Sequence, residues 1–319
     1  MKTIIFGSIA YDNLMNFNGK FSDSILPEEI SKLNVSFLLP NLKREFGGCA
    51  ANIAYNLKLL NDNHTIYGSV GGLDCEPFLK KFKSLKIDLS GVKVIDDKYT
   101  AQAYIVTDND KNQITLFHPG AMNEAHLCEF KPQEKENYLA IVSPNGKDAM
   151  HKFTNLLHKE KIDFIFDPGQ GLPMFSKEEL EDLIFKSNYL FLNEYEAKLL
   201  ESKLKTPIKT LSKYVNFIVV TLGINGSKIY KNNDEMLVNA VRTEKALDPT
   251  GCGDAYRAGF LFSIKKNYSL EKSAKLSSII AKFKVESIGP QNHYFDFDSL
   301  QKEYEVIYND NLWEDISLM

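Results

Sequence analysis

Short apolar segments alternate with segments of helical periodicity along most of this chain, and this alternation limits the possible folds more than any other feature. Residues 3–9, 138–143 and 189–192 are apolar runs of strand length. Residues 147–158 and 176–185 carry helical periodicity. Alternation of this kind, repeated at least five times, indicates a mostly parallel sheet with helices on both faces. The sequence therefore predicts a doubly wound α/β fold.

Length and composition are those of a globular protein, and they argue against two classes of partner. The 319 residues, 44% hydrophobic and 25% charged, allow one large α/β domain with an insertion, or two domains. A net charge of −4 without a block of Lys and Arg argues against binding of nucleic acid. No apolar run reaches the ~18 residues that span a membrane, and residues 1–8 lack a signal-peptide cleavage pattern. We therefore expect a cytoplasmic protein that binds neither nucleic acid nor membranes.

The motifs of several common enzyme classes do not occur in the sequence. None of the four cysteines forms a C-x-x-C pair, so we expect buried reduced thiols rather than disulfides or zinc ligands. The six histidines show no metal-ligand spacing. The H-E-x-x-H, Walker-type, G-x-G-x-x-G and G-x-S-x-G patterns are missing. Zinc proteases, P-loop NTPases, simple Rossmann dehydrogenases and α/β hydrolases are therefore poor interpretations.

Residues 13–46 interrupt the alternation and predict an insertion that covers the site as a lid. Within it, residues 14–17 and 34–39 have the pattern of short strands, and residues 21–32 are expected to be partly helical. The aromatic residues Phe17, Phe21 and Phe37 either contact a flat ligand or pack the lid against the body. The predicted division is an α/β domain of residues 1–12 and 47–319 and a lid of residues 13–46, joined by strands from about 100–118.

A glycine-rich loop near residue 250 has the composition of an anion-binding helix start. Gly251 and Gly253 flank Cys252, Asp254 follows at once, and a helical pattern begins there. Glycines let a ligand approach the backbone closely, and the unpaired N–H groups of a helix start attract anions. A carboxylate in that position can take the proton of a hydroxyl that attacks a phosphate. Asp254 is therefore a candidate general base.

Further polar residues follow the predicted strands, at the edge where ligands of open α/β sheets bind. They are Asp12, Gly47, Gly48, Asn52, Asn193, Glu196, Thr221, Gly223 and Gly226. On position alone, Asp12 fits a ligand contact or an ordinary turn equally well. A glycine-rich platform suits a nucleotide, and the Glu196 carboxylate suits magnesium, which often binds through water. Combined with a base and backbone donors, these residues indicate transfer of a phosphoryl group.

The same segments resemble the PfkB family of carbohydrate and nucleoside kinases, which has the ribokinase-like fold. Residues 248–260, D-P-T-G-C-G-D-A-Y-R-A-G-F, match its C-terminal signature almost residue for residue. Residues 47–60 match its N-terminal signature, and Asn193-x-x-Glu196 matches its magnesium-associated motif. Asn61 departs from the family, which often has Gly there. The segments most similar to the bacterial adenosine and nucleoside kinases of the family are 34–40, 44–52, 100–103, 117–122 and 167–173.

The resemblance implies a role for each of these residues. Asp254 is implied as the catalytic base, and Gly251, Cys252 and Gly253 as the anion hole for the transferred phosphate. The implied contacts to the acceptor are Asp12, Gly47, Gly48 and Asn52. The implied ATP site consists of Asn193, Thr221, Gly223, Gly226, Ala281, Lys284 and Gly289. The implied metal sites are Glu196 with Asn193 for Mg²⁺, and Asp248 with Thr250 for a monovalent cation such as K⁺.

The resulting expectation is an ATP- and Mg²⁺-dependent kinase that acts on the 5′-hydroxyl of a purine nucleoside, adenosine first. The alternatives are a sugar kinase of the same fold, acting on ribose, fructose or a related sugar, and a non-catalytic nucleoside-binding protein. Gln102, His118 and Gln170 are either further substrate contacts or ordinary loop polar groups. Short lid strands leave unpaired edges, so the protein is expected to be a monomer or a homodimer joined through its lids.

Overall fold

The computed structural model describes residues 1–25, 32 and 34–313. Its strands are β1 (Lys2–Phe6), β2 (Ala10–Asn16), β3 (Asn41–Gly47), β4 (His64–Gly71), β5 (Asp88–Ile95), β6 (Ala101–Thr107), β7 (Gln113–His118), β8 (Tyr138–Val142), β9 (Asp163–Phe166), β10 (Tyr189–Asn193), β11 (Phe217–Thr221), β12 (Ser227–Lys231) and β13 (Asp234–Val238). Its α-helices are α1 (Cys49–Leu59), α2 (Glu76–Ser84), α3 (Lys147–Lys159), α4 (Lys177–Lys186), α5 (Glu194–Leu204), α6 (Ile208–Leu211), α7 (Cys252–Lys265), α8 (Leu270–Val285) and α9 (Phe297–Tyr308).

A large sheet with helices on both faces forms the body. Among the described residues it contains nine strands in the order β13-β12-β11-β10-β9-β8-β1-β4-β5. Every neighbouring pair from β11 to β5 is parallel, and β12 and β13 continue the sheet in antiparallel fashion. Ile5 packs into the hydrophobic cluster on one face, while Ile4 and Phe6 pack into the cluster on the other. Burial on both faces explains the continuous apolar strands and confirms the α/β prediction.

A second, smaller sheet projects from the body. Its strands lie in the order β3-β2-β6-β7, with β2 and β6 parallel and the outer pairs antiparallel. Residues far apart in sequence therefore meet in it, since Asn13 pairs with both Arg44 and Tyr104. The sheet begins at Ala10 and places Asp12 within β2, rather than in a turn directly after β1.

The strand predicted at residues 34–39 is wrong. These residues lie outside any strand, and Leu38 is 89% exposed. Strand β2 has β3 and β6 as neighbours, so residues 34–39 do not pair with it. Phe37 instead packs against Phe17 and Phe21, with ring centroids 4.8 and 5.3 Å apart. These aromatic rings pack on one another. Of the helical segment predicted at 21–32, Phe21–Asp23 forms a 3-10 turn, and residues 26–31 lie outside the described residues.

Two elements of the body and one helix cap differ from the expectations. Strand β5 and helix α9 have no counterpart in the sequence predictions. Asp is a common helix cap, but at α2 the N-cap position is occupied by Cys75 and not by the preceding Asp74. The Asp74 carboxylate instead accepts hydrogen bonds from the Thr100 N–H and from Nε2 of Gln102, at 2.8 and 2.9 Å. It therefore ties the second sheet to the body.

The strand order changes direction between β1 and β8, which creates a crevice at their carboxyl ends. From β1 the chain adds β4 and β5 on one side and returns to add β8 on the other. Such a switch point is where open α/β sheets bind ligands. No helix in the described ranges is long and apolar enough to cross a membrane. All four cysteines are free thiols; Cys75 and Cys128 are buried as predicted, whereas Cys49 and Cys252 are only half-buried.

Candidate active site

The N-terminus of α7 presents unpaired backbone donors to the crevice. Gly251 precedes the helix with φ of 80°, a left-handed conformation that favours glycine. A Cβ at Gly251 would also lie 2.7 Å from Cβ of Pro290. The N–H groups of Gly251, Gly253 and Asp254 find no acceptor in the part of the chain that the structure describes. Because the helix dipole adds positive potential at the same point, this loop is suited to an anion.

The Asp254 carboxylate is held by a short chain of amide hydrogen bonds. Nδ2 of Asn52 donates to Oδ2 of Asp254 at 2.8 Å, and Nε2 of Gln291 donates to Oδ1 of Asn52 at 2.9 Å. The Gln291 bond fixes the Asn52 amide so that its nitrogen faces the carboxylate. Asn52 is itself buried in the first turns of α1. The structure thus brings together Asn52 and Asp254, from the two predicted signature segments.

Two carboxyl groups at the crevice have raised pKa values. Burial raises the pKa of Asp254 to about 6, while Arg257 and the Asn52 hydrogen bond oppose the rise. Burial also raises the pKa of Asp12 to about 6, with a contribution from the Asp254 charge. A carboxyl group with a pKa near neutrality can accept and release a proton at physiological pH.

Glycines 47 and 48 allow Asp12 and the start of α1 to approach each other. A Cβ on Gly47 would lie 2.4 Å from Oδ2 of Asp12, so a larger residue would displace that carboxylate. Gly48 has φ of 90°, and a Cβ there would lie 2.6 Å from the Ala10 nitrogen and from the Ser8 oxygen. Both glycines are therefore required by the junction of the second sheet with the body.

A buried ion pair that was not predicted from the sequence lies behind the anion-binding loop. Arg257 in α7 donates through Nε and, at 2.9 Å, through a terminal nitrogen to the carboxylate of Asp167, which follows β9. Its other terminal nitrogen donates to the Gly253 carbonyl at 3.0 Å. Both side chains are almost fully buried. The position of Arg257 three residues after Asp254, one turn further along the helix, could have indicated that it supports the site.

Glu196 and Asn193 form a capping box at the start of α5. The Glu196 carboxylate accepts from the Asn193 N–H and from its Nδ2, both at 2.7 Å, and Oδ1 of Asn193 accepts from the Glu196 N–H at 2.8 Å. Burial raises the pKa of Glu196, and the nearby Asp167 carboxylate adds to the rise. No group of three or more His, Cys, Asp or Glu side chains among the described residues has the arrangement of a metal site. A single buried carboxylate fits Mg²⁺ that keeps most of its water ligands.

Other residues predicted for ATP lie at the carboxyl end of β11 and in α8. Thr221 ends β11, and Gly223 and Gly226 form the following turn with φ of 58° and 92°. A Cβ on Gly226 would lie 2.0 Å from the Val238 carbonyl oxygen. Beside this turn is a groove lined by Leu222, Ile224, Asn225, Lys228, Leu237 and Arg242. In α8, the carbonyl oxygen of Ala281 lies 3.7 Å from the sulfur of Cys252, the first residue of α7.

The loop predicted to hold a monovalent cation contains an ammonium group. Nζ of Lys284 donates to the carbonyl oxygens of Asp248 and Ser287 at 2.8 and 3.0 Å. The Asp248 carboxylate accepts from the N–H groups of Thr250 and Gly289 at 2.9 and 2.8 Å. The ammonium of Lys284 is thus directed at these carbonyls, and the contact of Lys284 with ATP stays a prediction. A cation coordinated by the Asp248 carbonyl does not fit this arrangement.

Three predicted substrate contacts lie apart from this cluster. Gln102 pairs with Tyr11 in the second sheet, whereas Asp12 pairs with Ala103, so Gln102 and Asp12 face opposite sides. The Gln102 oxygen already accepts from Asn13 and Tyr104, and its nitrogen donates to Asp74. His118 pairs with Gln102 and shares its face. Gln170 is exposed in a 3-10 turn after β9.

Known proteins with a similar sequence and fold are kinases. A family model described as pfkB family carbohydrate kinase matches residues 13–295. A nucleoside kinase of Burkholderia thailandensis, solved with inosine, is 38% identical, with a TM-score of 0.88 over 97% of this chain and 99% of that one. The same enzyme solved as an ADP-inosine complex is 39% identical, with a TM-score of 0.85 over 97% of both chains.

Two further relatives extend the comparison. A nucleoside kinase of Methanocaldococcus jannaschii is 32% identical over 279 residues, 87% of this chain and 91% of that protein. Its structure, described as an archaeal member of the ribokinase family, has a TM-score of 0.84 and confirms the predicted ribokinase-like fold. An ATP-dependent 6-phosphofructokinase of Thermoanaerobacterium thermosaccharolyticum is 27% identical over 281 residues, 83% of this chain and 86% of that protein. The family model matches most of the chain, and the structure shows the open helix start of α7 beside the Asn52–Asp254 pair. The chain therefore belongs to the pfkB family of carbohydrate kinases.

Proposed function

We propose that this protein is an ATP-dependent kinase that phosphorylates the 5′-hydroxyl of a purine nucleoside. The observation that carries phosphoryl transfer is the Asp254 carboxylate, with its raised pKa, beside the unpaired N–H groups of Gly251 and Gly253. The nucleoside as acceptor is supported by the Burkholderia and Methanocaldococcus relatives, both of which are nucleoside kinases. Adenosine and inosine are the acceptors to test first.

In the proposed reaction, Asp254 acts as the general base. The acceptor hydroxyl oxygen attacks the γ-phosphorus of ATP while the bond from that phosphorus to the β,γ-bridging oxygen breaks, and ADP leaves. The hydroxyl proton passes to the Asp254 carboxylate. The N–H groups of Gly251, Gly253 and Asp254 stabilise the charge on the transferred phosphoryl oxygens, because helix-start donors are aligned before the reaction begins. Asn52 orients the carboxylate through its 2.8 Å hydrogen bond.

The nucleotide is proposed to lie along the turn after β11. Thr221, Gly223 and Gly226 border the adenine nucleotide there, and Gly223 leaves space because no atom lies within 4 Å of where its Cβ would be. Glu196 and Asn193 would hold Mg²⁺ through its water ligands. When bound, Mg²⁺ neutralises charge on the β- and γ-phosphates. Ala281 and Gly289 border the same crevice from the side of α8.

The acceptor is proposed to lie between the body and the second sheet. Asp12, Gly47, Gly48 and Asn52 line this space, and the Asp12 carboxylate can accept hydrogen bonds from ribose hydroxyls. We propose that the second sheet, formed by β2, β3, β6 and β7, acts as the lid on the α/β domain that contains the large sheet. Glu45 of this lid already accepts a hydrogen bond from Asn292 of the body at 2.9 Å.

A sugar kinase is the second candidate function. It is favoured by the phosphofructokinase relative and by the family description, which names carbohydrate kinases. The same base and anion-binding loop would serve either acceptor, because both reactions phosphorylate an alcohol.

The deciding experiment measures ADP release from ATP and Mg²⁺ with a panel of acceptors. The panel contains adenosine, inosine, guanosine, cytidine, ribose, fructose and fructose 6-phosphate. We expect kcat/KM for a purine nucleoside to exceed that for every sugar by at least about tenfold, since discrimination of this size needs only ~1.4 kcal/mol of differential transition-state binding. A preference for a free sugar or a sugar phosphate would contradict the nucleoside assignment.

A matched acceptor tests the position that is phosphorylated. 5′-Deoxyadenosine should bind competitively with adenosine and give no ADP, since it lacks the attacking oxygen. Turnover with this analogue would place the chemistry at another hydroxyl. Nucleoside binding without turnover of any acceptor would instead support the non-catalytic alternative.

Two further features of the proposal concern assembly and location. Leu42 and Leu116 of the second sheet are 64% and 66% exposed, which favours a homodimer joined through the lids over a monomer. A reaction that consumes ATP is compatible with the cytoplasmic location expected from the sequence, and this location stays a prediction.

A further inference from the structure

Lys284 is a fully buried lysine whose ammonium group contacts backbone carbonyls. It lies in the last turn of α8 and is 0% exposed. Its Nζ donates to the Asp248 and Ser287 oxygens at 2.8 and 3.0 Å. No Asp or Glu in the described ranges comes within ion-pair distance of it. Burial of a cation is costly, and a neutral side chain of similar length would fill this space at lower cost. A positive charge at this position therefore calls for an explanation.

The carbonyls that Lys284 contacts belong to the segment that leads into the anion-binding loop. Asp248 begins the run that ends at Gly251 and α7, and its carboxylate ties this run to Gly289 through the 2.8 Å bond from the Gly289 N–H. The Asp248 N–H in turn donates to the Val285 carbonyl of α8 at 3.2 Å. The ammonium thus joins the base of the loop to the end of α8, next to the segment that carries the unpaired N–H groups of Gly251 and Gly253.

Oxygen-lined positions of this kind can also hold a bare monovalent ion, and a lysine ammonium is a compact charge with three donors. A monovalent ion and the Lys284 ammonium cannot bind the same carbonyl oxygens at once. Nζ already lies within hydrogen-bond distance of these oxygens, and like charges repel.

We propose that the Lys284 ammonium takes the place of a monovalent cation at the Asp248–Ser287 carbonyls and positions the anion-binding loop without K⁺. This inference rests on the proposed phosphoryl transfer for its kinetic readout. Lys284 is a positioning residue, since its ammonium contacts carbonyls and not the reacting groups. Its charge also adds to the positive potential behind Gly251 and Gly253.

Two substitutions separate the charge from the space it fills. Lys284→Ala removes the charge and leaves room at the carbonyls for an ion. Lys284→Met removes the charge and keeps the space filled. Lys203→Ala is the matched control, because Nζ of Lys203 also donates to backbone carbonyls, those of Leu172, Pro173 and Phe175, in another part of the molecule.

Turnover and cation binding are measured in KCl and in tetramethylammonium chloride at equal ionic strength. The unmodified protein should keep its kcat when K⁺ is replaced. Lys284→Ala should lose about 10- to 100-fold in kcat without K⁺ and recover with it, and Lys284→Met should lose as much and not recover. Thallium(I) NMR should detect a site that K⁺ competes for in Lys284→Ala alone. Lys203→Ala should respond to K⁺ like the unmodified protein.

Strong K⁺ activation of the unmodified protein, with thallium bound at this loop, would overturn the inference. Full activity of Lys284→Met without K⁺ would also overturn the inference, because it would show that the lysine only fills space. Two measurements need no turnover and remain decisive if no acceptor is phosphorylated. One is the thallium measurement, and the other is the Tm, which KCl should raise for Lys284→Ala and leave unchanged for the unmodified protein. If Lys284→Ala does not fold without K⁺, folding that K⁺ restores and tetramethylammonium does not would support the inference, whereas absence of rescue by K⁺ would overturn it.

Discussion

At the scale of single residues, the carboxyl groups of Asp254 and Asp12 both have raised pKa values, so their protonation depends on pH near neutrality. Burial raises the pKa of both carboxyl groups to about 6, and the Asp254 charge adds to the rise for Asp12. The ionised forms are therefore less stable in the folded protein than in the unfolded chain. For Asp254 the folded-state pKa is above the ordinary value near 4, so its contribution to stability is largest at low pH and declines as the pH rises from about 4 to about 6.

This shift predicts the pH dependence of the reaction. A base must be deprotonated to accept the hydroxyl proton, so kcat/KM should fall about tenfold for each pH unit below about 6. Steady-state rates between pH 4.5 and pH 8 at constant ionic strength, about the span over which the free carboxyl titrates, would measure this limb. A profile that stays flat down to about pH 5 would contradict the assignment of Asp254 as the base.

The variant Asp254→Asn separates catalysis from folding. We expect kcat to fall by about 10²–10⁴-fold, because the amide cannot accept the proton. Its Tm at pH 8, about two units above the raised pKa, should equal or exceed that of the unmodified protein, since the cost of an ionised buried carboxylate is removed. Asp148→Asn, an exposed carboxylate in the first turn of α3, is the control and should change neither quantity.

At the scale of the elements, α7 carries the site and is anchored to the sheet by one buried ion pair. Arg257 connects α7 both to Asp167 at the end of β9 and to the Gly253 carbonyl. The Asp167 and Glu196 carboxylates raise the pKa of the Arg257 guanidinium, which keeps it charged despite burial. The position of the anion-binding loop therefore depends on an interaction that crosses from helix to sheet.

Breaking this pair from one side should be costly. Arg257→Met should lower the free energy of unfolding by about 3–5 kcal/mol, since it leaves the Asp167 carboxylate buried without a partner. The double variant Arg257→Met with Asp167→Leu should lose less than the sum of the single losses. Urea unfolding of the unmodified protein, the two single variants and the double variant gives the coupling energy between Arg257 and Asp167. Losses in the free energy of unfolding that simply add would contradict this coupling. Lys198→Ala, in the exposed Lys198–Glu194 pair, should cost only about 0–1 kcal/mol.

At the scale of the whole molecule, the second sheet leaves apolar side chains on its outer face. Tyr104 and Leu116 are paired neighbours on this face, and Leu42 lies on the same side two residues from Arg44. They are 37%, 66% and 64% exposed. The face opposite to Asp12 is thus the one available to a second copy.

We expect two copies to associate through this face. Sedimentation velocity at micromolar concentration should detect a dimer, and the double variant Leu42→Lys with Leu116→Lys should be monomeric, because it places charges at the apolar contact. Leu127→Lys is the control. Leu127 is 48% exposed but lies outside the second sheet, so this variant protein should remain dimeric. A monomer at every concentration of the unmodified protein would contradict the expectation.

Local features were predictable from the sequence because they depend on neighbours in the chain. The apolar run at 138–143 and the helical pattern at 176–185 are present as β8 and α4, since both patterns act over a few residues. The loop at Gly251 and the helix after it were predictable for the same reason. The α/β class follows from these local patterns taken in order.

Contacts between distant residues were decided only by the tertiary structure. The Asn52–Asp254 bond joins residues 202 positions apart, and the Asp167–Arg257 pair joins residues 90 apart. The helical pattern near Lys284 revealed nothing of the carbonyls around its ammonium. These contacts depend on how α7 and α8 pack on the sheet, which no local pattern contains.

Strand register is a further property that the sequence alone could not provide. Neighbouring residues of a strand face opposite sides, so register determines which side chains reach the crevice. Ala103 pairs with Asp12, and this pairing turns Gln102 and His118 to the other face. The apolar residues 34–39 likewise had strand propensity but found both edges of β2 occupied. The sequence by itself determined the kinds of elements and the chemistry of the loop at Gly251, whereas strand order, register and helix packing decided which side chains meet there.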